Sequence, residues 1–264
     1  CLASWLPLWA AFCFRDCCRT AGGGFEYPPT PADAASNCAT CSATTASCPV
    51  NTCQAGTISL DFAAACTSGS PAHNNFGFGG PNSGVEGIRY EGVGQVNGVR
   101  LDLVARATSS YLAGNNNNNG CNGLFGQINV WANNQVDLEF SFEDPAGARV
   151  TLPSFWFSFF DLDHERNGSR VEQLVLSGYS SYSLTSPTDV AVQLPTPTMP
   201  YSRRFRSTVE GGGNDNPDDP LDLNDQQRRR SVIFFFENTA SFTAQFKVEG
   251  PSKNSGRNFL FASR

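Results

Sequence analysis

"VDLEFSF", residues 136–142, alternates strictly between apolar and polar side chains. Successive side chains of a β-strand point to opposite faces, so this segment presents one apolar face to a core and one polar face to water. One-sided alternation of this kind is typical of antiparallel sheets. We expect Val136, Leu138, Phe140 and Phe142 to face inward, and Asp137, Glu139 and Ser141 to face outward.

Similar alternation recurs from Thr57 to the C-terminus. Runs rich in Gly, Pro, Asn and Asp, such as "GGPNSG" (79–84) and "EDPAGA" (143–148), separate the segments and are typical of turns. About a dozen strands predict an all-β fold, an antiparallel two-sheet sandwich of jelly-roll type. The other strand segments are "TISLDFA" (57–63, with Ile58, Leu60 and Phe62 on one face), "VRLDLVA" (99–105), "DVAVQL" (189–194), "SVIFFFE" (231–237), "SFTAQFKV" (241–248) and "RNFLFA" (257–262). "LNDQQRRR" (223–230) is the exception and predicts a short helix capped by Asn224.

The composition restricts the classes of partner. Charged residues make up 16% of the chain, and the formal net charge is -6 at pH 7. Phosphate binding needs a concentrated Lys/Arg surface, so we predict no nucleic-acid partner. The basic run Arg228–Arg230 follows an acidic loop, and we interpret it as the local partner of that loop.

The chain divides into three segments by composition. Residues 1–20 contain the apolar run "CLASWLPLWAAFCF", which has the length of a signal peptide and is interpreted as its remnant. Residues 21–56 form a loop-like, Cys-rich arm, and residues 57–264 form the β-sandwich domain. No later segment is apolar enough to cross a membrane, so we predict an exported protein, secreted or in another oxidising lumen.

Cysteines support an oxidising compartment. An even number remains after residue 20, and we predict that they form disulfides whose pairing the sequence leaves open. A zinc knuckle is the alternative, but the spacing C-x2-C-x6-C-x4-C is shorter than the usual ribbon and has no His nearby. The predicted disulfide cysteines are Cys38, Cys41, Cys48, Cys53, Cys66 and Cys121.

"SFWFSFF" (154–160) is apolar on both faces. This pattern predicts a central strand covered on both sides, or a strand that lines a concave aromatic surface. Sugar rings stack on flat aromatic side chains, so Trp156 is the candidate ligand-binding residue if its face is open.

Two acidic segments are candidate calcium sites. Asp161 and Asp163 follow the aromatic strand at i, i+2. Glu165 and Glu172 are candidates for a further ligand, and Glu172 joins the two aspartates if "HERNGSR" (164–170) turns the chain back. Calcium prefers several hard oxygen ligands of this kind, and a strand end that solvates its own charges is the alternative. The loop 211–226 adds Asp215 and Asp218, with an ordered polar loop pinned by Asx-turns as its alternative.

Asn167-Gly168-Ser169 is an N-glycosylation sequon in the predicted turn, so Asn167 is a candidate acceptor. Catalytic signals are weak, because no G-x-S-x-G motif is present and the chain has only two histidines, His73 and His164. We therefore predict that the protein is not an enzyme. A polysaccharide hydrolase or lyase is the distant alternative.

The pattern from Thr57 onward, with its aromatic strand ending "FFDLD" and its acidic loops, resembles the secreted jelly-roll modules of carbohydrate-binding and adhesion proteins. This resemblance implies a structural Ca²⁺ beside a ligand surface, with Asp161 and Asp163 as metal ligands and Trp156 as a stacking residue. Our first hypothesis is a calcium-stabilised binding module for a glycan or a protein partner. The alternative is a structural subunit of an extracellular or lumenal assembly.

Overall fold

The computed structural model of the chain describes residues 58–194, 202–212, 216–251 and 255–263. The predictions for the signal-peptide remnant and the Cys-rich arm, residues 1–20 and 21–56, lie outside these residues. So do the predictions for Asp215 and for four cysteines, Cys38, Cys41, Cys48 and Cys53.

The described part of the chain is mainly β-structure. Its strands are β1 (Ile58–Leu60), β2 (His73–Asn75), β3 (Gly87–Val96), β4 (Val99–Ala107), β5 (Gly120–Asn122), β6 (Phe125–Trp131), β7 (Asn134–Glu143), β8 (Leu152–Phe160), β9 (Val171–Ser177), β10 (Ser181–Ser183), β11 (Val190–Gln193), β12 (Ser202–Ser207), β13 (Val232–Thr239), β14 (Ser241–Glu249) and β15 (Gly256–Ser263). Its helices are α1 (Phe62–Cys66), α2 (Asp225–Arg229) and three single 3-10 turns at Phe76–Phe78, Asn116–Asn118 and Arg166–Gly168. No helix in these ranges is long and apolar enough to span a membrane.

The strands form two antiparallel sheets packed as a sandwich, which confirms the predicted fold class. The nine-stranded sheet has the order β1-β3-β4-β7-β14-β9-β12-β11, and β2 also pairs with β3. The six-stranded sheet has the order β10-β13-β8-β15-β6-β5. Short strands stand at most edges, which limits the length of unpaired backbone there.

Phenylalanine rings fill the space between the sheets. The ring of Phe140 on β7 lies 5.2 Å from Phe157 on β8 and 5.1 Å from Phe261 on β15, so it joins the two layers. All four residues predicted to face inward in "VDLEFSF" are fully buried. Ser141 is also fully buried, although the alternation predicts a wet position, because Arg106 and Glu143 cover it.

The segment "TISLDFA" forms a shorter strand than the alternation predicts. β1 ends at Leu60 opposite Gly94, where a β-bulge in β3 begins. Phe62 instead starts α1, and its ring packs 5.0 Å from that of Tyr90. The prediction of three same-face residues was wrong for Phe62, because a bulge in the partner strand ends the pairing.

Two other local predictions are confirmed. β8 lies between β13 and β15 in the middle of its sheet, so "SFWFSFF" is a central strand. Asn224 caps α2 through a capping box, in which Gln227 N donates to Asn224 Oδ1 (3.0 Å) and Asn224 N donates to Gln227 Oε1 (2.9 Å).

Candidate functional site

The acidic residues after β8 lie where the chain crosses from one sheet to the other. β8 ends at Phe160, and Asp161 adopts a left-handed backbone with φ 57°. The regular i, i+2 strand geometry assumed for Asp161 and Asp163 therefore does not apply. Both side chains are buried, with 8% and 1% of their surfaces exposed, so they are not a strand end in water.

The turn 164–170 returns the chain beside Asp163, as the sequence predicts. Glu165 N donates to Ser169 O (2.8 Å) and closes the turn. Glu172 N then donates to Asp163 O (3.2 Å), and Asp163 N donates to Glu172 Oε2 (3.3 Å). The structure thus brings Asp163 and Glu172 together.

Two arginines complete this group. Arg257 Nε donates to Glu172 Oε1 (2.8 Å), and the same guanidinium forms an ion pair with Asp163. Arg230 Nη1 lies 3.9 Å from Asp163 Oδ2. We call the five residues Asp161, Asp163, Glu172, Arg230 and Arg257 the acid–arginine cluster.

The pKa shifts place Asp161 in the same electrostatic environment. Burial, followed by the negative charge of Asp161, raises the pKa of Glu172 well above its usual range. Burial lowers the pKa of Arg257, whereas the charge of Asp161 opposes that change. Burial and the charge of Asp161 thus outweigh the ion pair of Glu172 with Arg257 in setting the pKa of Glu172.

Sequence reasoning missed Arg257, although a signal was present. In "RNFLFA" the alternation puts Arg257 on the same face as the buried Phe259 and Phe261. A guanidinium on an inward-facing position requires a buried carboxylate partner. Arg257 therefore indicated that an acidic group lies inside the sandwich.

The calcium prediction remains a prediction. Over the residues that the structure describes, no group of three or more His, Cys, Asp or Glu side chains is arranged to hold a metal. Oxygens of Asp163 and Glu172 already accept hydrogen bonds from Arg257, so a cation at this position has to compete with a guanidinium. Asp218 of the second predicted calcium group is exposed, near Gly123.

The three arginines Arg228–Arg230 have different ion-pair partners. Arg228 lies 3.6 Å from Asp225, which belongs to the acidic loop, as expected. Arg229 instead pairs with Asp189 (3.3 Å), and Arg230 belongs to the acid–arginine cluster. The interpretation of the whole run as a partner of the acidic loop was wrong for Arg229, because a single helical turn points successive side chains in different directions.

The remaining predicted positions lie apart from this cluster. Asn167 is exposed at the tip of the 3-10 turn, with φ 64°, and its glycosylation stays a prediction. Cys66 and Cys121 form a disulfide in the described part of the chain.

Trp156 lies on the outer face of the six-stranded sheet. It is half-buried, and its ring centroid is 4.7 Å from that of Phe235, the residue directly opposite on β13. Ile233, two residues before Phe235, is also exposed on this face. We call Trp156, Phe235 and Ile233 the aromatic shelf.

A groove adjoins the aromatic shelf. It encloses about 480 Å³ including its open mouth. β8 and β13 supply its floor, and the segments after β10 and around α2 supply its walls. Its lining residues are Ser158, Phe160, Ser183, Leu184, Thr185, Leu223, Arg228, Ser231 and Ile233.

Comparison with known proteins yields distant likenesses only. No family model and no curated protein matches the chain. The N-terminal domain of the Streptococcus gordonii adhesin Sgo0707 has 11% identity and a TM-score of 0.46 over 67% of this chain and 47% of its own. The adhesin domain of PrgB from Enterococcus faecalis, solved bound to DNA, has 13% identity and a TM-score of 0.40 over 67% of this chain and 66% of its own. The matches thus span less than two thirds of either adhesin chain, and likeness at this level supports no argument about function.

Proposed function

We propose that this chain is a non-enzymatic binding module that recognises a neutral glycan on the aromatic shelf and in the adjoining groove. The observation that carries the proposal is the pair of neighbouring rings, Trp156 and Phe235, on the outer face of a sheet whose inner face already forms the core. The two rings are tilted by 42° to each other, so each offers its own apolar face to the C–H face of a sugar.

The groove supplies the polar groups that a glycan needs. Ser158, Ser183, Thr185 and Ser231 are among its lining residues, and of these the Ser231 hydroxyl already donates to Gln227 O (2.7 Å). Its enclosed volume is about 130 Å³, below the range of about 300–1,000 Å³ that is usual for small-molecule sites, so it accommodates only part of a saccharide and the aromatic shelf has to supply the rest of the contact. An apolar floor with a few hydroxyl groups at its rim suits the alternating C–H and O–H faces of a saccharide.

Charge near the groove favours a neutral ligand. Arg228 lines the groove, but its guanidinium lies 3.6 Å from Asp225, and Asp222 precedes the lining residue Leu223. The negative charges of Asp222 and Asp225 balance or exceed the positive charge of Arg228, so they repel a sugar acid. A neutral hexose meets no such penalty.

The groove lining also supports a binding role. Among the described residues, those that line the groove include no carboxylate and no imidazole. Glycoside hydrolysis needs a pair of carboxylates that flank the scissile bond. A site of hydroxyl, apolar and guanidinium groups binds a saccharide without such a pair.

Export to an oxidising compartment is part of the proposal. The Cys66–Cys121 disulfide supports it, because structural disulfides persist where thiols are not kept reduced. Calcium stabilisation is a separate part, supported by the approach of Asp163 and Glu172 and by the effect of Asp161 on Glu172.

The proposal is tested with an array of neutral and acidic oligosaccharides, followed by calorimetry with the best binder. Trp156→Ala should weaken binding at least about tenfold, since tenfold corresponds to about 1.4 kcal/mol and ring stacking supplies about this much. Trp131→Ala, at the other half-buried tryptophan described in this sheet, is the matched control and should leave affinity unchanged.

Equal loss of affinity in both tryptophan variants, or unchanged affinity in Trp156→Ala, contradicts the assignment of the aromatic shelf. Single- and double-stranded DNA on the same array test the predicted exclusion of nucleic acid. Turnover of any oligosaccharide contradicts the non-enzymatic role.

A further inference from the structure

Part of the sandwich surface is formed by two segments whose side chains carry no formal charge. Residues 66–85 and 107–136 contain no Asp, Glu, Lys or Arg, although these types make up 16% of the chain. The two segments pack on each other, since the rings of Phe76 and Tyr111 lie 4.6 Å apart. A methyl group added at Gly79 would lie 2.7 Å from Asn116 Nδ2, so this contact extends along the loops.

Exposed apolar side chains stand on this surface. Phe78 is 75% exposed, Val85 70% and Leu112 53%. Exposed asparagines at 115–117 adjoin them. We call the exposed residues Phe78, Val85, Leu112 and 115–117 of these two segments the uncharged face.

Phe78 is held in this position at a conformational cost. Its φ is +59°, a left-handed backbone that bulky side chains rarely adopt. Its ring gains little burial in return, because most of it is exposed. A strained conformation that exposes an apolar ring indicates a function outside the isolated fold.

The loop that carries Phe78 is rigidly built. Asn74 N donates to Asn82 Oδ1 (2.7 Å), and Asn75 Nδ2 donates to Gly84 O (3.0 Å). Gly77 N donates to Glu86 Oε1 (2.9 Å), so the carboxylate at the border of the face is turned toward the loop backbone. A preorganised loop loses little conformational entropy when it binds a partner.

We propose that the uncharged face binds a second copy of this chain. Each copy has a formal net charge of -6, so two copies repel wherever charged surfaces meet. In a two-fold interface the same patch faces itself, and a patch without charge meets no repulsion. Interface centres are likewise depleted in charged residues and enriched in aromatic anchors, which is the composition around Phe78.

The test is sedimentation equilibrium of the full 264-residue chain from about 1 to 500 µM, at low and high salt. We expect a concentration-dependent dimer that high salt leaves unchanged or strengthens, because salt screens the repulsion between like-charged copies. Phe78→Asn should raise the dimer dissociation constant at least about tenfold, since the aromatic anchor is lost. The fold should be retained, because Asn tolerates the left-handed backbone.

The matched control is Leu221→Asn, which removes an apolar side chain that is 64% exposed in the acidic segment before α2. Its dimer dissociation constant should equal that of the unmodified chain. A monomer across the whole concentration range overturns the proposal, as does a dimer that Phe78→Asn leaves intact or that both variants weaken equally. A dimer that reductant abolishes on a denaturing gel is a disulfide product and also overturns it.

Glycan binding is measured separately on the same variants. Phe78→Asn should retain it, and Trp156→Ala should retain the dimer. The failure of either proposal is therefore distinguishable from the failure of the other.

Discussion

Two groups of arginines around buried carboxylates show opposite electrostatic behaviour in one molecule. The first lies on the outer face of the nine-stranded sheet and consists of Arg89, Arg100, Arg106, Asp102 and Glu143. The second is the acid–arginine cluster at the crossing between the sheets. The first group has three arginines for two buried carboxylates, with the exposed Glu91 as a further partner of Arg100 (3.5 Å), and the second has two arginines and three carboxylates.

In the outer-face group each carboxylate has its own cation. Asp102 and Glu143 lie directly opposite each other on β4 and β7, an arrangement of like charges that is unfavourable by itself. Arg89 binds both, with Nη1 2.9 Å from Asp102 Oδ2, and Arg106 Nη1 lies 2.8 Å from Glu143 Oε1. Burial raises the pKa of Glu143, but hydrogen bonding and charge from Arg106 and the charge of Arg89 outweigh it, so the pKa is lowered.

In the acid–arginine cluster the balance is reversed. Burial and the charge of Asp161 raise the pKa of Glu172, although Arg257 bonds to it. The comparison teaches that a paired carboxyl group in this fold is stabilised as an anion where arginines outweigh the effect of burial, as at Glu143, and is not where burial and a neighbouring carboxylate outweigh the arginine, as at Glu172.

The largest expected effect is that of Arg257→Met. Loss of this guanidinium leaves Asp163 and Glu172 buried without their main cation, which typically costs about 3–5 kcal/mol of unfolding free energy. Arg106→Met in the outer-face group should cost less, about 1–2 kcal/mol, because Arg89 still pairs with Glu143. Urea unfolding of both variants measures the two losses of unfolding free energy. A larger loss for Arg106→Met than for Arg257→Met would contradict the proposed difference between the two groups.

The second-largest expected effect is that of Ca²⁺ on the unfolding free energy. If Ca²⁺ binds Asp161, Asp163 and Glu172, a concentration of 100 times its dissociation constant adds about 2.7 kcal/mol to the unfolding free energy. Thermal unfolding with Ca²⁺ and with chelator should show the shift, and Asp161→Asn/Asp163→Asn should abolish it. Arg257→Met should enlarge it, because the competing guanidinium is gone. No shift in any of these proteins rules out the calcium prediction at this cluster.

Gly211→Ala tests the packing around the same carboxylates. A methyl group at this position would lie 1.5 Å from Asp163 Oδ2, so the cluster has to rearrange at a cost of about 1–3 kcal/mol. Gly212→Ala is the matched control, because its methyl group meets no atom within 4 Å. Equal melting temperatures of the two variants would show that the loop adapts without disturbing the cluster.

The smallest effect is a pH dependence from the outer-face group. The pKa of Glu143 is below its ordinary value of 4.5, so the unfolded chain takes up the proton first as the pH falls. The stabilisation is present above about pH 4.5 and is lost as the pH falls through the folded-state pKa. Urea unfolding from pH 6 to 3 should therefore show a steeper decline for the unmodified chain than for Glu143→Gln. Parallel declines would contradict the assignment to Glu143.

Strand positions were predictable because alternation is local. Phe140 faces the core as "VDLEFSF" requires, and Asn224 caps its helix as the neighbouring sequence requires. Phe62 was not predictable, because its position depends on a bulge in β3, about thirty residues further along the chain.

The candidate site was predictable in part. The return of Glu172 to Asp163 follows from one short turn, so the sequence indicated that these two meet. The pairing of Glu172 with Arg257 joins residues 85 positions apart, and its distance depends on the register of β15 in a sheet. The pattern of neighbouring residues does not predict that register.

The sequence by itself determined the antiparallel strands, the alternation of inward and outward side chains along most of them and the clustering of aromatic residues, because these depend on periodicities of a few residues. Only the tertiary structure decided which aromatics lie on the outer face of a sheet, which arginine pairs with which carboxylate and which uncharged loops pack on each other. These properties depend on strand order and sheet packing, where residues far apart in the chain become neighbours.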